Sequence, residues 1–161
     1  MDWNQLFSMQ KQLDAYIATN HKLHSSDLFE KKILALFVEL GELANETRCF
    51  KFWSTKPASE RSVILEEYVD GLHFILSLGL DKGYQYESIN TPSDTESLTT
   101  KFQQVYEKII AFKQQPSKAI YHQLFFTYVE LGSLLGFDEG SIQAAYEDKN
   151  KVNHERQDQG Y

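Results

Sequence analysis

The chain has 161 residues, of which 42% are hydrophobic and 24% are charged, a length and composition that fit one globular domain with a sizeable core. Its formal net charge of -7 makes duplex DNA and anionic membranes unfavourable general partners, because both repel an acidic surface. The single cysteine, Cys49, cannot form an internal disulfide and fits a reducing compartment, so we expect a cytoplasmic protein. The first ten residues lack the pattern of a signal peptide, and no apolar run reaches the length of a membrane span.

Apolar residues recur at three- and four-residue spacing along the chain, which predicts helices throughout. The predicted helices cover approximately residues 3–19, 26–46, 59–80, 94–113, 116–136 and 138–156. The predicted N-caps are Ser26 or Asp27 for the second helix, Ser59 for the third and Asp138 for the last, and Pro116 lies near the first turn of the fifth. These elements predict an all-α, single-domain bundle of five to six helices, with residues 157–161 as a flexible tail.

The second predicted helix carries acidic residues on the side opposite its apolar stripe. On an ideal wheel of roughly 100° per residue, Glu39, Glu42 and Glu46 lie together, and Glu39 and Glu42 are one turn apart. In a single helix such a pattern commonly marks only a solvated face. The pattern of the next helix is therefore needed to decide whether this acidic face is only solvated or belongs to a site.

The third predicted helix, within "ILEEYVDGLHFIL", carries a second carboxylate pair at the same spacing. Glu67 and Asp70 fall on the side away from the apolar stripe, together with Phe74. A short connection favours antiparallel packing of these two central helices, which brings the ExxE pair of one helix and the ExxD pair of the other into one cleft. Four carboxylates repel one another unless a cation lies between them, and Mg²⁺, with Mn²⁺ as its substitute, is the expected ion. Phe74 is then either an aromatic wall beside the metal or covered by a neighbouring helix.

The last predicted helix places Lys149, Asn153 and Arg156 on one face. Lys and Arg bind phosphate oxygens, and an Asn side chain offers both a donor and an acceptor to a base. The alternative is a charged terminal helix that pairs with acidic neighbours. His73 is expected to be a packed or hydrogen-bonded histidine.

Five segments in order, "MQKQLD", "VELGELANE", "FKFW", "LEEYVDGLHF" and "KNKVNHERQDQGY", resemble the dimeric dUTPases of the all-α NTP pyrophosphatase (MazG-like) superfamily. The resemblance covers nearly the whole chain. It implies that the metal-binding and catalytic residues are Glu39, Glu42, Glu67 and Asp70. It implies that the substrate-binding residues are Gln10, Asp14, Lys51, Trp53, Phe74, Lys149, Asn153 and Arg156. In this set Gln10 contacts the base and Phe74 stacks near uracil and deoxyribose, while Asp14 stands where some members carry Asn.

The resemblance also implies an activity. A Mg²⁺-dependent hydrolase would convert dUTP to dUMP and pyrophosphate, and dUDP to dUMP and phosphate, limiting uracil incorporation into DNA. It implies a homodimer with a small nucleotide substrate and no nucleic-acid or membrane partner. Two alternatives stay open: a broader MazG-like house-cleaning nucleotide pyrophosphatase, and a non-catalytic helical binding module whose acidic faces dock a basic partner.

Overall fold

The computed structural model describes residues 1–23, 28–87 and 95–160, and these form a bundle of six α-helices without strands. The helices are α1 (Trp3–His21), α2 (Phe29–Thr47), α3 (Arg61–Lys82), α4 (Leu98–Gln114), α5 (Lys118–Leu134) and α6 (Glu139–Asp158). The predicted all-α class is confirmed. Within the described ranges, no helix is long and apolar enough to span a membrane.

The predicted cap of α6 is confirmed, whereas that of α3 is wrong. Asp138 accepts a hydrogen bond from the Ser141 backbone N–H at 2.7 Å. Helix α3 instead follows Glu60, which makes no side-chain cap bond. Ser59, the predicted cap, donates its hydroxyl to Glu46 on α2. The hydroxyl therefore joins the two ends of the connection instead of capping a helix.

The remaining helix starts differ modestly from the predictions. Helix α4 begins behind Ser97, whose hydroxyl accepts from the Thr100 N–H at 3.1 Å. Helix α5 begins behind Ser117, and Pro116 directly precedes this cap, near the first turn as predicted. The predicted α2 caps, residues 26 and 27, lie outside the described residues, as does residue 94 at the predicted start of α4.

Helix α6 runs to Asp158, two residues past its predicted end. Its last turn contacts α1: Tyr16 donates a hydrogen bond to Asp158, and the His21 ring is hydrogen-bonded to Gln157 at 2.8 Å. Residues 157 and 158, predicted as part of a tail, therefore continue the helix.

Helices α2 and α3 are antiparallel, as predicted, and share the largest interface in the bundle. Near the start of α2, the Lys32 ammonium is 2.7 Å from Asp81 near the end of α3. At the opposite end, Glu46 of α2 contacts Ser59 just before α3 begins. Helix α3 also packs against α1, α5 and α6, so it is the central element that orients the acidic residues.

A reciprocal tyrosine contact fixes α3 against α5. The Tyr68 hydroxyl donates to the Tyr128 carbonyl at 2.9 Å, and the Tyr128 hydroxyl donates to the Tyr68 carbonyl at 2.6 Å. The two rings stack with centroids 4.6 Å apart. Each hydroxyl lies over a glycine of the other helix, Gly132 or Gly71, where any added Cβ would overlap it. This close approach lies directly beside Asp70 in the chain.

Candidate active site

A cavity of about 460 Å³ lies among α1, α2, α3 and α6. It brings together eight of the predicted site residues from four separate helices: Gln10, Asp14, Glu39, Asp70, Phe74, Lys149, Asn153 and Arg156. One end of the cavity is acidic, and Phe74 with aliphatic residues of α1 and α2 forms an apolar wall. A cavity with one acidic end, an apolar wall and cationic side chains suits a ligand that has both a phosphate group and a ring.

Three of the four predicted carboxylates converge in a group of which two members, Glu39 and Asp70, line the cavity. Glu39, Glu67 and Asp70 each offer an oxygen, and these oxygens all lie within 4.8 Å of one another. Oε2 of Glu39 and Oε2 of Glu67 are buried and have no hydrogen-bond partner among the described residues. Glu42 is exposed and lies outside this group of three. Buried carboxylate oxygens without donors are ligands for a hard cation such as Mg²⁺.

The electrostatics of this cluster support the same conclusion. Burial, followed by the charges of Asp70 and Glu42, raises the pKa of Glu39 to about 8. The same causes in the same order raise the pKa of Glu67 to about 7. Burial also raises the pKa of Asp70. Without a cation, protons offset this repulsion, and a divalent cation bound to the oxygens would replace them.

Lys149 of α6 contacts the cluster from the side. Its Nζ is 2.7 Å from Glu66 Oε1 and 3.1 Å from Asp70 Oδ1. Burial lowers the pKa of Lys149, but the hydrogen bond to Glu66 and the charge of Asp70 outweigh it, so the pKa is raised. Glu66 was not among the predicted site residues. Its signal in the sequence is its place on α3 one turn before Asp70.

A buried polar network connects α1, α3 and α6 at the cavity. Gln10 Oε1 accepts from the Tyr146 hydroxyl at 2.8 Å and is 2.6 Å from His73 Nδ1, while Gln10 Nε2 donates to Asp14 Oδ1 at 2.9 Å. Asp14 Oδ2 accepts from the Ser77 hydroxyl at 2.7 Å. Since an amide oxygen only accepts, His73 Nδ1 carries the proton. The network fixes both polar ends of Gln10.

A protein-family model described as dUTPase matches residues 2–161. The chain belongs to the all-α dimeric dUTPase family. It is therefore a hydrolase of the dUTP diphosphatase type, and the predicted resemblance is confirmed. Membership of this family also favours the enzyme hypothesis over the non-catalytic binding module. No curated protein gives a significant match to the chain.

Within this dUTPase-family site, His73 is a packed, hydrogen-bonded histidine, as expected. Its ring stacks on Tyr146 with centroids 4.3 Å apart, and burial lowers its pKa to about 3, so the imidazole is neutral. Ser77 and Tyr146 were not predicted to belong to the site. The signal for Ser77 is its four-residue spacing from His73 on α3, which matches the four-residue spacing of Gln10 and Asp14 on α1.

Lys51 and Trp53 do not line the cavity of this dUTPase-family chain. Trp53 is 63% exposed and makes edge-on contacts with Phe50 and Phe52 in the connection between α2 and α3. The Lys51 ammonium lies 5.8 Å from the centre of the Phe50 ring. The structure thus separates these two predicted substrate residues from the other six.

Proposed function

We propose that the chain is a Mg²⁺-dependent dUTP pyrophosphohydrolase that releases dUMP and pyrophosphate and also converts dUDP to dUMP and phosphate. The observation that carries the proposal is the convergence of Glu39, Glu67 and Asp70, with orphaned buried oxygens, at the end of a nucleotide-sized cavity. The family match supports dUTP as the substrate. The biological role would be to limit uracil incorporation into DNA.

In this proposal, different residues bind the metal, bind the phosphates and accept the proton. Glu39, Glu67 and Asp70, with Glu42 beside them, would hold the Mg²⁺, which neutralises phosphate charge and lowers the pKa of a bound water. Lys149 and Arg156 line the cavity next to this cluster, where they can bind the phosphate oxygens. Either Glu39 or Glu42 takes the proton of the attacking water. The enzyme thus positions an in-line attack and stabilises the charge that develops.

We assign uracil selection to the part of the cavity lined by Asp14 and Asn153. Gln10 is only 3% exposed and its amide is held by its neighbours, so its proposed role is to orient Asp14. The Asp14 carboxylate and the half-buried Asn153 amide both line the cavity. An acceptor from Asp14 suits the N3–H of uracil, which cytosine lacks, and the Asn153 amide suits a carbonyl oxygen. Phe74 offers a face for stacking.

The test is Mg²⁺-dependent release of pyrophosphate across a panel of nucleotides. A strong preference for dUTP supports the proposal. Comparable rates with dCTP or dTTP support instead the broader house-cleaning pyrophosphatase. No release with either Mg²⁺ or Mn²⁺ would refute both activities.

We further propose a homodimer in the cytosol. Leu34 and Val38, one turn apart on α2, are 63% and 50% exposed, and Ile110 on the adjacent α4 is 44% exposed. Exposed apolar side chains on two helices that pack together favour burial against a second copy. The free Cys49 thiol fits a reducing compartment.

A further inference from the structure

Lys149 bridges two carboxylates, one inside the acidic cluster and one outside it. Asp70 belongs to the cluster of three, whereas Glu66 lies one turn earlier on α3 and outside it. The Lys149 side chain is 12% exposed and that of Asp70 is 18% exposed. An exposed salt bridge contributes little, but this ammonium group is largely shielded from water and contacts two acids at once. Its position therefore affects the charge balance of the cluster.

A divalent cation in the cluster and the Lys149 ammonium compete for Asp70. Lys149 Nζ is 3.1 Å from Asp70 Oδ1, and the Asp70 ligand oxygen is within 4.8 Å of those of Glu39 and Glu67. Two positive charges this close repel in a partly buried site, although the Glu66 side chain is 58% exposed. A bound cation would favour displacement of the ammonium from Asp70, and Glu66, at 2.7 Å, is a partner for Lys149 that lies outside the carboxylate group.

We propose that Lys149 is the resident counter-ion of the carboxylate cluster and that Glu66 is a positioning residue that retains Lys149 when a divalent cation displaces it from Asp70. The inference rests on the proposed function, because it takes the cluster as the metal site. It adds a role for Glu66, which holds the ammonium at the edge of the cavity, within reach of a substrate phosphate. Metal binding and substrate binding are thereby coupled through one side chain.

The experiment is a double-mutant cycle on Mn²⁺ affinity, measured with the full chain and without nucleotide by electron paramagnetic resonance of free Mn²⁺. The four proteins are wild type, Lys149→Met, Glu66→Gln and the double variant. Lys149→Met removes the competitor and should tighten Mn²⁺ binding about three- to tenfold. Glu66→Gln leaves Lys149 with Asp70 alone and should weaken binding about threefold. In the Lys149→Met background, Glu66→Gln should have almost no effect.

Lys151→Met is the matched control, because it removes the same charge from an exposed position on α6 and should leave Mn²⁺ affinity within about twofold of wild type. Equal weakening by Glu66→Gln in both backgrounds would mean that Glu66 acts only through its general field, which overturns the inference. Unchanged or weaker Mn²⁺ binding by Lys149→Met overturns it as well. Either result, with normal Mn²⁺ binding by the wild type, leaves the proposed function standing. A wild type that binds no Mn²⁺ refutes both.

A kinetic measurement provides a second readout that a purely structural role would not change. Glu66→Gln should raise the Mg²⁺ concentration needed for half-maximal activity about threefold and leave kcat at saturating Mg²⁺ unchanged. Glu66→Asp should restore most of the wild-type Mg²⁺ dependence. A lower kcat at saturating Mg²⁺ for Glu66→Gln, with the half-maximal concentration unchanged, contradicts the positioning role.

Discussion

The protonation of Glu39 and Glu67 depends on the groups that surround their carboxylates. Each is only partly buried, yet each has an oxygen without a donor and acidic neighbours within the cluster. In the absence of a cation, these contacts favour the protonated carboxyl group. The energetic cost of assembling the cluster therefore appears as a dependence of protein stability on pH.

We expect the metal-free protein to lose stability as the pH rises from about 5 to 8. The folded-state pKa is about 8 for Glu39 and about 7 for Glu67, against 4.5 for an unperturbed Glu. Between these values the folded state binds more protons than the unfolded state, so the free energy of unfolding decreases with pH. Differential scanning fluorimetry in EDTA should show Tm falling across this window, and Mg²⁺ should reduce the fall.

The matched variant for this prediction is Glu39→Gln/Glu67→Gln, which removes both titrating groups at nearly constant size. Its Tm in EDTA should depend less steeply on pH than that of the wild type, and Mg²⁺ should no longer affect it. An identical slope in the two proteins would show that other groups cause the pH dependence.

The activities of the Asp70→Asn and Glu42→Gln variants test whether these carboxylates take part in catalysis. Each removes one of the four carboxylates proposed to hold the metal, and each should lower kcat/KM for dUTP by about 100-fold or more, because the proposed role of these groups is to stabilise the transition state through the metal. Circular dichroism should show unchanged helicity. Glu60→Gln removes a charge from an exposed residue just before α3 and is the control. Wild-type turnover in either site variant would mean that the metal is placed wrongly.

At the scale of whole helices, the site depends on how closely α3 approaches its neighbours. Gly71 lies beside Asp70 in the chain and faces the Tyr128 hydroxyl of α5, which is held by its hydrogen bond to the Tyr68 carbonyl. A side chain at Gly71 therefore pushes against a tyrosine that cannot move without breaking a buried hydrogen bond. The packing of α3 and the orientation of Asp70 are linked at this point.

Gly71→Ala should destabilise the protein by about 1–3 kcal/mol, the usual cost of overpacking a core. Urea unfolding followed by circular dichroism measures this change. Gly41→Ala on α2 is the matched control, since its added Cβ would lie 3.4 Å from the Tyr106 hydroxyl, an ordinary contact. That variant should be as stable as the wild type or more stable by up to about 1 kcal/mol. Equal stability of the two variants would contradict the packing argument.

The helices were predictable from the sequence because amphipathic periodicity fixes both their type and their inward face. The same geometry predicted that four carboxylates meet, and Glu39, Glu67 and Asp70 do converge, whereas Glu42 is exposed and lies outside that group. The cap of α3 was not predictable: Ser59 had a second partner, Glu46, thirteen residues away, and local sequence does not reveal such a contact.

The rest of the site depends on tertiary packing. The turn of α6 that meets α3 decides that Lys149 reaches Glu66, and the turn that meets α1 decides that Tyr146 reaches Gln10. No spacing within one helix encodes either contact. The positions of the Lys51 and Trp53 side chains could not be predicted for a different reason. Both residues lie in an irregular connection, where residue spacing does not fix the direction of a side chain. The family resemblance identified them as substrate residues, and the structure places them outside the cavity.

For the whole molecule, the net charge of -7 and the acidic end of the cavity repel a free triphosphate. A nucleotide that carries Mg²⁺ would be less repelled, and Lys149 and Arg156 supply positive charge in the lining of the cavity. The cavity is therefore suited to the metal–nucleotide complex.

The oligomeric state is the last property to test at this scale. Sedimentation equilibrium at micromolar concentration should give twice the 18.7 kDa mass of the chain, because pairing would bury the exposed Leu34, Val38 and Ile110. Leu34→Glu places a charge in the proposed interface and should shift the protein to monomer. Val63→Glu, at a 38% exposed position near the start of α3, should stay dimeric. A monomeric wild type would refute the dimer, whereas a dimeric Leu34→Glu variant would place the interface elsewhere on the molecule.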